Sequence, residues 1–334
     1  MGILLTDTDE GVHAVGTQSN WNESRYVDFW DAGQKVGGWL RIGNRPNEGR
    51  AEMSVCINLP DGRTGFMFDR PKISANTLNS GSQSWEIVRP WYENRVQYRG
   101  DLMIMTDPWL LTDPKRAYAT APRERAEIDL RCHSTGLHAV MGFDQDHIDR
   151  IFLPGQADFH YQHLARTTGS VRVGNRTWAV NGRGGKDHSW GPRNWHAKIY
   201  LRWLIAGVDD DNGFVLVRAV GPTKKTRSGF VLERGQFHLV DDFEMKNSYA
   251  GPPHYELQRV ELQIHGGGRS WTAVGTPRSW LPLRHRQKDA QGAEQLLRIV
   301  KSPTDWTLGD GRSAEGMCEY HDLMVQGKPI ALND

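Results

Sequence analysis

Apolar and polar residues alternate with a period of two along much of this chain. In Arg123–His133, the apolar side chains of Ile128, Leu130 and Cys132 alternate with charged ones, and Leu257–His265 repeats the pattern. A period of two places every second side chain on the same face of an extended strand. These segments therefore predict β-strands that bury one face and expose the other.

Short turn sequences separate the predicted strands. Asp211–Gly213 contains Asn-Gly, the strongest short-range signal for a tight hairpin loop. Other glycine-containing turns lie at Pro60–Gly62, Gly174–Asn175 and Gly266–Gly268. Consecutive hairpins give an up-and-down meander, which closes most readily into a barrel. We therefore predict an all-β protein built from antiparallel barrels.

The segments between these strands are expected to contain little helix. Asp144–Phe152 is expected to form a short helical turn, and Pro108–Tyr118 an irregular connection. Two polar segments, Asp69–Gly81 and Arg284–Glu294, are expected to be loops, the second of them exposed.

The length of 334 residues favours two domains, since a domain typically takes about 150 residues. We place the boundary near Pro154-Gly155, which gives domains at residues 1–155 and 156–334. No sequence repeat relates the two halves.

Composition limits the class of partner. Lys and Arg total 41 and Asp and Glu total 40, a net charge of +1, which gives no electrostatic reason to expect nucleic acid or an anionic membrane surface. No apolar stretch approaches the ~20 residues of a spanning helix, and the start of the chain lacks the pattern of a secretory signal. The three cysteines have no CxxC spacing. We expect a cytoplasmic protein without a disulfide framework; the oligomeric state is not predicted.

Gly182–Trp195 carries the densest set of reactive side chains, with an acid, Asp187, directly before a base, His188. An apolar cavity would raise the pKa of the Asp187 carboxyl by desolvation, so that it could act as a general acid. His188 could then handle the proton of water near neutral pH. The structural alternative is an Asp that caps a turn and a His bonded to backbone.

Strand geometry limits this pairing. On a regular strand, Asp187 and His188 point to opposite faces. Both would reach one cavity only through a bulge or at a strand end, and Gly182, Gly184 and Gly185 make a bulge plausible.

Three tryptophans in and after this segment are candidates for cavity walls. An indole face stabilises a desolvated cation by about 2 kcal/mol or more, so Trp190 and Trp195 could shelter a developing carbocation. The alternative is ordinary core packing, which we favour for Trp203.

Arg193 has two possible roles. It could bind a carboxylate or carbonyl of the ligand, or it could pair with Asp187 and lower the pKa of that acid. In the second arrangement Glu319 would be the reserve proton donor. Glu319 and His321 share one strand face and Tyr320 lies on the other; a surface strand with ordinary charges is the alternative.

The remaining candidates are weaker. Glu23 lies close to Trp21 and could contact a ligand. On a regular strand His160 and His163 fall on opposite faces, so they do not form a ligand pair. The sequence contains neither HExxH nor CxxC nor a phosphate-binding loop, so we expect no metal and no cofactor.

The motif Asp187–Gly191, followed by Arg193 and Trp195, resembles the signature of the AttH-like proteins related to carotenoid 1,2-hydratase (hydroxyneurosporene synthase). The segments Trp21–Tyr26 and Gly316–Tyr320 are similar to flanking parts of the same family. The matches thus run from about Trp21 to Tyr320, over most of the chain.

This resemblance implies two lipocalin-like barrels in tandem with a cavity for an apolar, often isoprenoid-like ligand. It also implies a cofactor-independent hydro-lyase acting on a hydrophobic alkene or alcohol, such as a terpenoid, steroid or aromatic compound. We expect catalytic roles for Asp187 as proton donor, His188 as the group that directs water, and Glu319 in reserve. The expected ligand contacts are Trp190, Arg193, Trp195, Tyr320, His321 and Glu23.

Two other functions stay open. The protein could carry a lipophilic ligand without changing it, which needs only an apolar cavity and a few orienting groups. It could also use the same cavity for isomerisation, cyclisation or ether cleavage.

Overall fold

The computed structural model describes residues 5–135, 153–195, 198–288 and 291–332. About 64% of the chain is strand, and two large antiparallel sheets contain almost all of it. The predicted all-β class is confirmed. The helical turn expected at Asp144–Phe152 lies outside the described residues.

The first sheet contains ten strands and closes on itself through pairing of β4 with β7. Its order is β4-β3-β2-β1-β10-β9-β8-β7-β6-β5. The strands are β1 (Trp21–Asp31), β2 (Val36–Arg45), β3 (Arg50–Asn58), β4 (Thr64–Asp69), β5 (Asn79–Ser80), β6 (Gln83–Arg89), β7 (Glu93–Met105), β8 (Arg123–Ser134), β9 (Phe159–Val173) and β10 (Arg176–Pro192).

The second sheet contains eleven strands and forms a half-barrel. Its main path is β14-β13-β12-β11-β20-β19-β17-β16-β15, with β18 paired to β19 and β21 to β20. The strands are β11 (Tyr200–Gly207), β12 (Gly213–Val220), β13 (Lys225–Glu233), β14 (Gln236–Leu239), β15 (Asp242–Tyr249), β16 (Leu257–Gly266), β17 (Arg269–Pro277), β18 (Leu281–Lys288), β19 (Glu294–Leu308), β20 (Ser313–Val325) and β21 (Lys328–Pro329).

The chain passes from the first sheet to the second between Pro192 and Tyr200. Strands β9 and β10, which follow the predicted boundary near Pro154-Gly155, therefore complete the first barrel. Division of the chain into folding units at residue 155 stays a prediction, but the change of sheet occurs later in the chain.

Helical segments are short. The α-helix found among the described residues, α1 (Pro114–Thr120), begins where the Asp113 side chain accepts the Arg116 backbone N–H at 3.2 Å, a common N-terminal cap. The 3₁₀-helices are Asp7–Glu10, Pro46–Glu48 and Pro108–Thr112. The segment expected to be an irregular connection thus forms a 3₁₀-helix followed by α1.

One loop prediction is wrong. Arg284–Glu294 was expected to be exposed and irregular, yet Leu281–Lys288 is strand β18, paired with β19 from Leu281↔Lys301 to Lys288↔Glu294. Within the described sheet β18 pairs with β19 alone. One edge of such a strand faces water. Its side chains are therefore largely polar, and the sequence lacks the apolar alternation that predicts a strand.

Each sheet encloses its own apolar core. Val27, Leu40 and Val55 are fully buried inside the first barrel, and Leu216 and Val260 inside the half-barrel. Burial of each such side chain contributes about 1.5–3 kcal/mol. These cores fix the positions of the strands that carry the site described below.

The two sheets also pack against each other. Tyr26 and Trp39, from the outer face of the first barrel, share an apolar cluster with Leu281 and Met317 of the second sheet. Strand alternation makes this possible, because each contact strand buries one face inside its own sheet and the other between the sheets. Among the described residues, no helix has the length and apolarity needed to span a bilayer.

Candidate functional site

A cavity lies between the outer face of the first barrel and the facing strands of the second sheet. Its empty space is about 1050 Å³, solvent at the mouth included. It is lined by Ser24, Tyr26, Trp39, Arg41, Glu52, Ser54, Phe68, Gln156, His160, Gln162, Asp187, Arg193, Trp195, Lys198, Leu201, Trp203, Val217, Leu283, His285, Ile299, Lys301, Glu319 and His321.

The walls of this cavity are largely aromatic and aliphatic. Tyr26 and Trp39 contribute rings from the first barrel, and Trp203 faces Tyr26 with ring centres 5.3 Å apart. Leu201 and Ile299 add aliphatic surface from the second sheet. Such a lining with a few polar groups is typical of a small-molecule site. Trp203, which we expected to pack in a core, packs against two apolar clusters and also lines the cavity.

Asp187 faces this cavity and pairs with His160. The Asp187 Oδ2 atom lies 2.6 Å from His160 Nε2, across the β9–β10 ladder. Burial raises the pKa of the Asp187 carboxyl, but His160 and Arg193 outweigh burial and hold the pKa below its ordinary value. Asp187 is therefore an anion near neutral pH, suited to orient the His160 imidazole rather than to donate a proton itself.

Glu319 also reaches the cavity, again as an anion. Its carboxylate forms an ion pair with Lys301 and accepts a hydrogen bond from His321 Nε2. Burial raises the pKa of Glu319, yet Lys301 and His321 hold it well below the ordinary range. Burial and the nearby Lys198 lower the pKa of His321 to about 3. The expected sharing of one face by Glu319 and His321 is confirmed, but the pKa of Glu319 argues against a reserve proton donor.

Two cationic groups lie near Asp187. Arg193 donates from Nη2 to Ser189 Oγ at 2.7 Å, and burial with the nearby Arg41 lowers its pKa to about 10. Burial and the charge of Arg193 lower the pKa of Lys198 to about 7. Lys198 can therefore exchange a proton near neutral pH.

A carboxyl close to the cavity that holds a proton near neutrality is Asp28. Burial raises its pKa to about 7, although the Gly185 backbone N–H donates to Asp28 Oδ1 at 2.8 Å and Lys301 lies near. Asp28 lies two residues beyond Tyr26 on the same face of β1 and is fully buried. We expected an acid with a raised pKa at Asp187. In the structure, Asp28 on the neighbouring strand β1 has this property.

His188 points away from this cavity. Its ring lies inside the first barrel, where Nε2 is 2.7 Å from Glu23 Oε1 and Nδ1 is 3.0 Å from the Tyr161 hydroxyl. Burial and the charge of Arg25 lower its pKa to about 3. Asp187 and His188 therefore do not act in one cavity, and Glu23 and His188 belong to the barrel interior.

The bulge that the glycines of β10 would allow does not form. The β9–β10 register runs without a shift from Arg176 to Trp190, so β10 keeps regular alternation through Asp187 and His188. The glycines serve close packing instead: a Cβ at Gly184 would lie 2.3 Å from the Asp28 carboxylate and backbone oxygens. Glycine thus makes room for the buried acid.

Two other predicted ligand contacts lie elsewhere. Trp190 stacks on His13 with ring centres 3.7 Å apart, at the end of the first barrel. Tyr320 lies in the half-barrel core, where its hydroxyl donates to Asn247 Oδ1 at 2.9 Å. Strand alternation accounts for both, since Trp190 follows the face of His188 and Tyr320 the face opposite Glu319. Trp195 and Arg193 do line the cavity.

One group of side chains has donor atoms suited to a metal. Ligand atoms of His13, Glu23 and His188 lie within 4.8 Å of one another. The Arg25 guanidinium, however, lies 3.3 Å from Glu23 Oε1, and a fixed positive charge there opposes a divalent cation. The separations of 2.7 and 3.0 Å between this oxygen and the two imidazoles are those of hydrogen bonds.

Sequence reasoning missed His160 as the partner of Asp187, and it missed Asp28, Lys198 and Lys301. For His160 a signal existed, because it falls on the face opposite Tyr161 and His163. For Asp28 the signal was an acid among the aromatic residues of β1. Lys198 lies in the connection before β11, and Lys301 lies in β19. Only the packing of the two sheets brings these lysines to the site.

Comparison with known proteins assigns the family. Residues 6–324 match a domain of unknown function, DUF7064. The chain belongs to the DUF7064 family. A search of curated proteins finds no match.

Two solved structures share the fold of this DUF7064 chain. A candidate AttH (NE1406) from Nitrosomonas europaea is 12% identical with a TM-score of 0.55, over 95% of this chain and 96% of that one. Kievitone hydratase from Nectria haematococca is 8% identical with a TM-score of 0.51, over 95% and 94%. These likenesses support the AttH-like fold expected from the motif around Asp187. At such identity they establish architecture alone.

Proposed function

We propose that this protein is a hydro-lyase that adds water to, or removes it from, a hydrophobic alkene or alcohol in the cavity between the sheets. The observation that carries the proposal is the Asp187–His160 pair, 2.6 Å apart, facing an aromatic cavity. The shared fold with kievitone hydratase, whose name states a hydration, is consistent with it.

The proton-transfer group in this proposal is His160. Asp187 fixes the orientation of the ring and stabilises its protonated form, as carboxylates do for catalytic imidazoles. The imidazolium gives a proton to one alkene carbon, and the π electrons of the double bond form the new C–H bond. Water then adds to the other carbon and returns its proton to His160, so that the net change is one water added.

The cavity walls can stabilise the carbocation that forms between protonation of the alkene and addition of water. Trp39 and Trp203 line the cavity, and the Asp187 and Glu319 carboxylates supply negative charge within it. Both features stabilise a positive centre in a desolvated space. No cofactor is needed in this scheme, because every proton transfer uses water or a side chain.

Incubation in water labelled with heavy oxygen tests the proposal. A panel of terpenoid, steroid and aromatic alkenes, charged and neutral, should yield at least one product that has gained one labelled oxygen and two hydrogens. Asp187→Asn and His160→Gln should each lower that turnover by about 10²-fold or more, while the exposed control Asp101→Asn should retain it.

The same experiment separates the rival functions. Binding of panel members without any product would indicate a carrier. An unlabelled rearranged product would indicate an isomerase or cyclase. Labelled product that persists undiminished in His160→Gln would remove the Asp187–His160 pair from the mechanism.

A further inference from the structure

Three positively charged side chains lie around Trp195, at the mouth of the cavity. The guanidinium carbons of Arg41 and Arg193 lie 5.2 and 5.4 Å from the centre of the Trp195 ring, and Lys198 Nζ lies 5.6 Å from it. Trp195 also stacks with His285, with ring centres 4.5 Å apart. Three cations therefore converge on a rigid aromatic surface that lines the cavity.

Two of these cations, Lys198 and Arg193, form no ion pair among the described residues. Lys198 is 5% exposed, lines the cavity, and has no hydrogen bond or ion pair among the described residues. The Arg193 side chain makes one hydrogen bond among the described residues, to Ser189, and its buried Nε has no hydrogen-bond partner there. A buried ammonium without a partner is costly. A native site of this kind points to a missing counter-charge.

The nearby carboxylates are already engaged. Asp187 is bound to His160, and Glu319 to Lys301 and His321. Glu52 lies 3.6 Å from Arg41. None of them neutralises Lys198 by direct contact.

The position of this cluster is also informative. A surface groove that includes Arg45, Arg50, Arg70 and Arg286 shares Arg193 and Trp195 with the cavity. The cationic cluster thus lies where the cavity meets this groove, while Trp39 and Trp203 line the cavity outside the groove. This arrangement suits a molecule with one charged end and an apolar body.

We propose that Lys198 and Arg193, beside Trp195, bind an acidic end group of the ligand, a carboxylate or a phosphate, while its apolar body enters the cavity. For the reaction itself, this inference rests on the proposed function. It adds the substrate class, an apolar alkene or alcohol that carries a terminal anion. Guanidinium and ammonium donors are the groups that proteins use for both anions.

A matched set of naphthalene probes tests the proposal by fluorescence titration. Naphthoate, naphthyl phosphate and neutral naphthylmethanol share one apolar body. We expect at least one anionic probe to bind about tenfold or more tightly than naphthylmethanol. Lys198→Met and Arg193→Met should each remove most of that preference while changing naphthylmethanol affinity by less than about twofold.

The controls make each outcome decisive. The exposed Lys246→Met should leave all affinities unchanged, and circular dichroism should show that the variants are folded. If a variant fails to fold, salt titration of the wild-type protein decides, because only the anionic probes should weaken as ionic strength rises. A preference for phosphate over carboxylate, or the reverse, identifies the end group.

Equal affinity for charged and neutral probes would overturn the inference. This failure is distinct from failure of the hydro-lyase proposal. Anion-selective binding without turnover would keep the anion site and remove the reaction, whereas turnover of a neutral alkene with no anion preference would do the opposite.

Discussion

The interior of the first barrel and the cavity between the sheets both place charged side chains among apolar walls, but they satisfy them differently. Inside the barrel, both oxygens of Glu10 lie 2.6 Å from Lys186 Nζ, and Glu23 is bonded to His188. In the cavity, Lys198 has no hydrogen-bond or ion-pair partner among the described residues. We infer that the paired charges inside the barrel stabilise the fold, whereas the unpaired charge in the cavity serves to bind a ligand.

The barrel interior is closed by the N-terminal segment. Asn94 Nδ2 donates to Glu10 at 3.0 Å, and the Arg25 guanidinium donates to the Glu10 carbonyl at 2.8 Å. Lys186 and Glu10 are almost fully buried, so each depends on the other for its charge. We therefore expect the buried polar cluster around Glu10 and Lys186 to affect stability, and the cavity to affect binding and chemistry.

The largest expected effect is on stability, from Lys186→Met. Removal of the ammonium leaves the Glu10 carboxylate buried without its main partner, which should cost about 3–5 kcal/mol. Urea denaturation measures this loss, and naphthoate affinity of the folded variant should be unchanged. The exposed Lys246→Met is the matched control; equal midpoints for both variants would contradict a structural role for the pair.

The second prediction compares two histidines on opposite faces. His160→Asn should lower labelled-water turnover by about 10²-fold with little change in the urea midpoint. His188→Asn should instead lower stability by about 1–3 kcal/mol, since Glu23 loses a buried donor, and leave the chemistry of folded protein intact. The reverse pattern would move the site into the barrel.

The third prediction concerns stability against pH. The pKa of His188 is lowered to about 3 by burial from an ordinary 6.5, so between these values the unfolded chain binds more protons. Stability should therefore fall as pH falls through this window. The slope of the urea midpoint between about pH 7 and about pH 5 should be smaller in His188→Asn; an identical slope would remove His188 from the acid response.

Asp28 supplies an opposing control for this slope. Burial raises its pKa from 3.8 to about 7, so in that window the folded protein binds more protons. Its contribution to stability is greatest below the lower value and is lost as pH rises. Asp28→Asn should therefore make the fall in stability on acidification steeper, whereas His188→Asn makes it shallower.

The smallest expected effect is on the pH dependence of anion binding. Arg193, Glu319, Asp187 and Lys301 are the charged groups that act on Lys198, and burial with Arg193 lowers its pKa to about 7. Naphthoate affinity should fall a few-fold as pH rises above this value, because the ammonium is lost. Lys198→Met should flatten the dependence, and a profile that is the same in both proteins would contradict it.

The fold was predictable where alternation was regular. Arg123–His133 corresponds to β8 and Leu257–His265 to β16, because one face of each strand is buried. Prediction failed at β18, where the edge position removes the need for apolar residues on one side. The sequence also did not predict that the chain passes to the second sheet only after Pro192. This position depends on which strand β10 pairs with and not on local composition.

The site was predictable in part. Asp187, Glu319, Arg193, Trp195 and His321 do converge on one cavity. The partners that set their ionisation could not be predicted, because a pKa depends on neighbours that the fold brings from other strands. The assignment of Asp187 and His188 to a single cavity failed for a simpler reason: an unbroken strand alternates.

The central claim is that ligand and chemistry occupy the space between the sheets rather than the barrel interior. A crystal structure of the protein with bromonaphthoate, located by the anomalous signal of bromine, tests it most directly. We expect the carboxylate beside Lys198 and Arg193 and the bromine near Trp39 and Trp203. A bromine inside the first barrel, beside His188, would contradict the account.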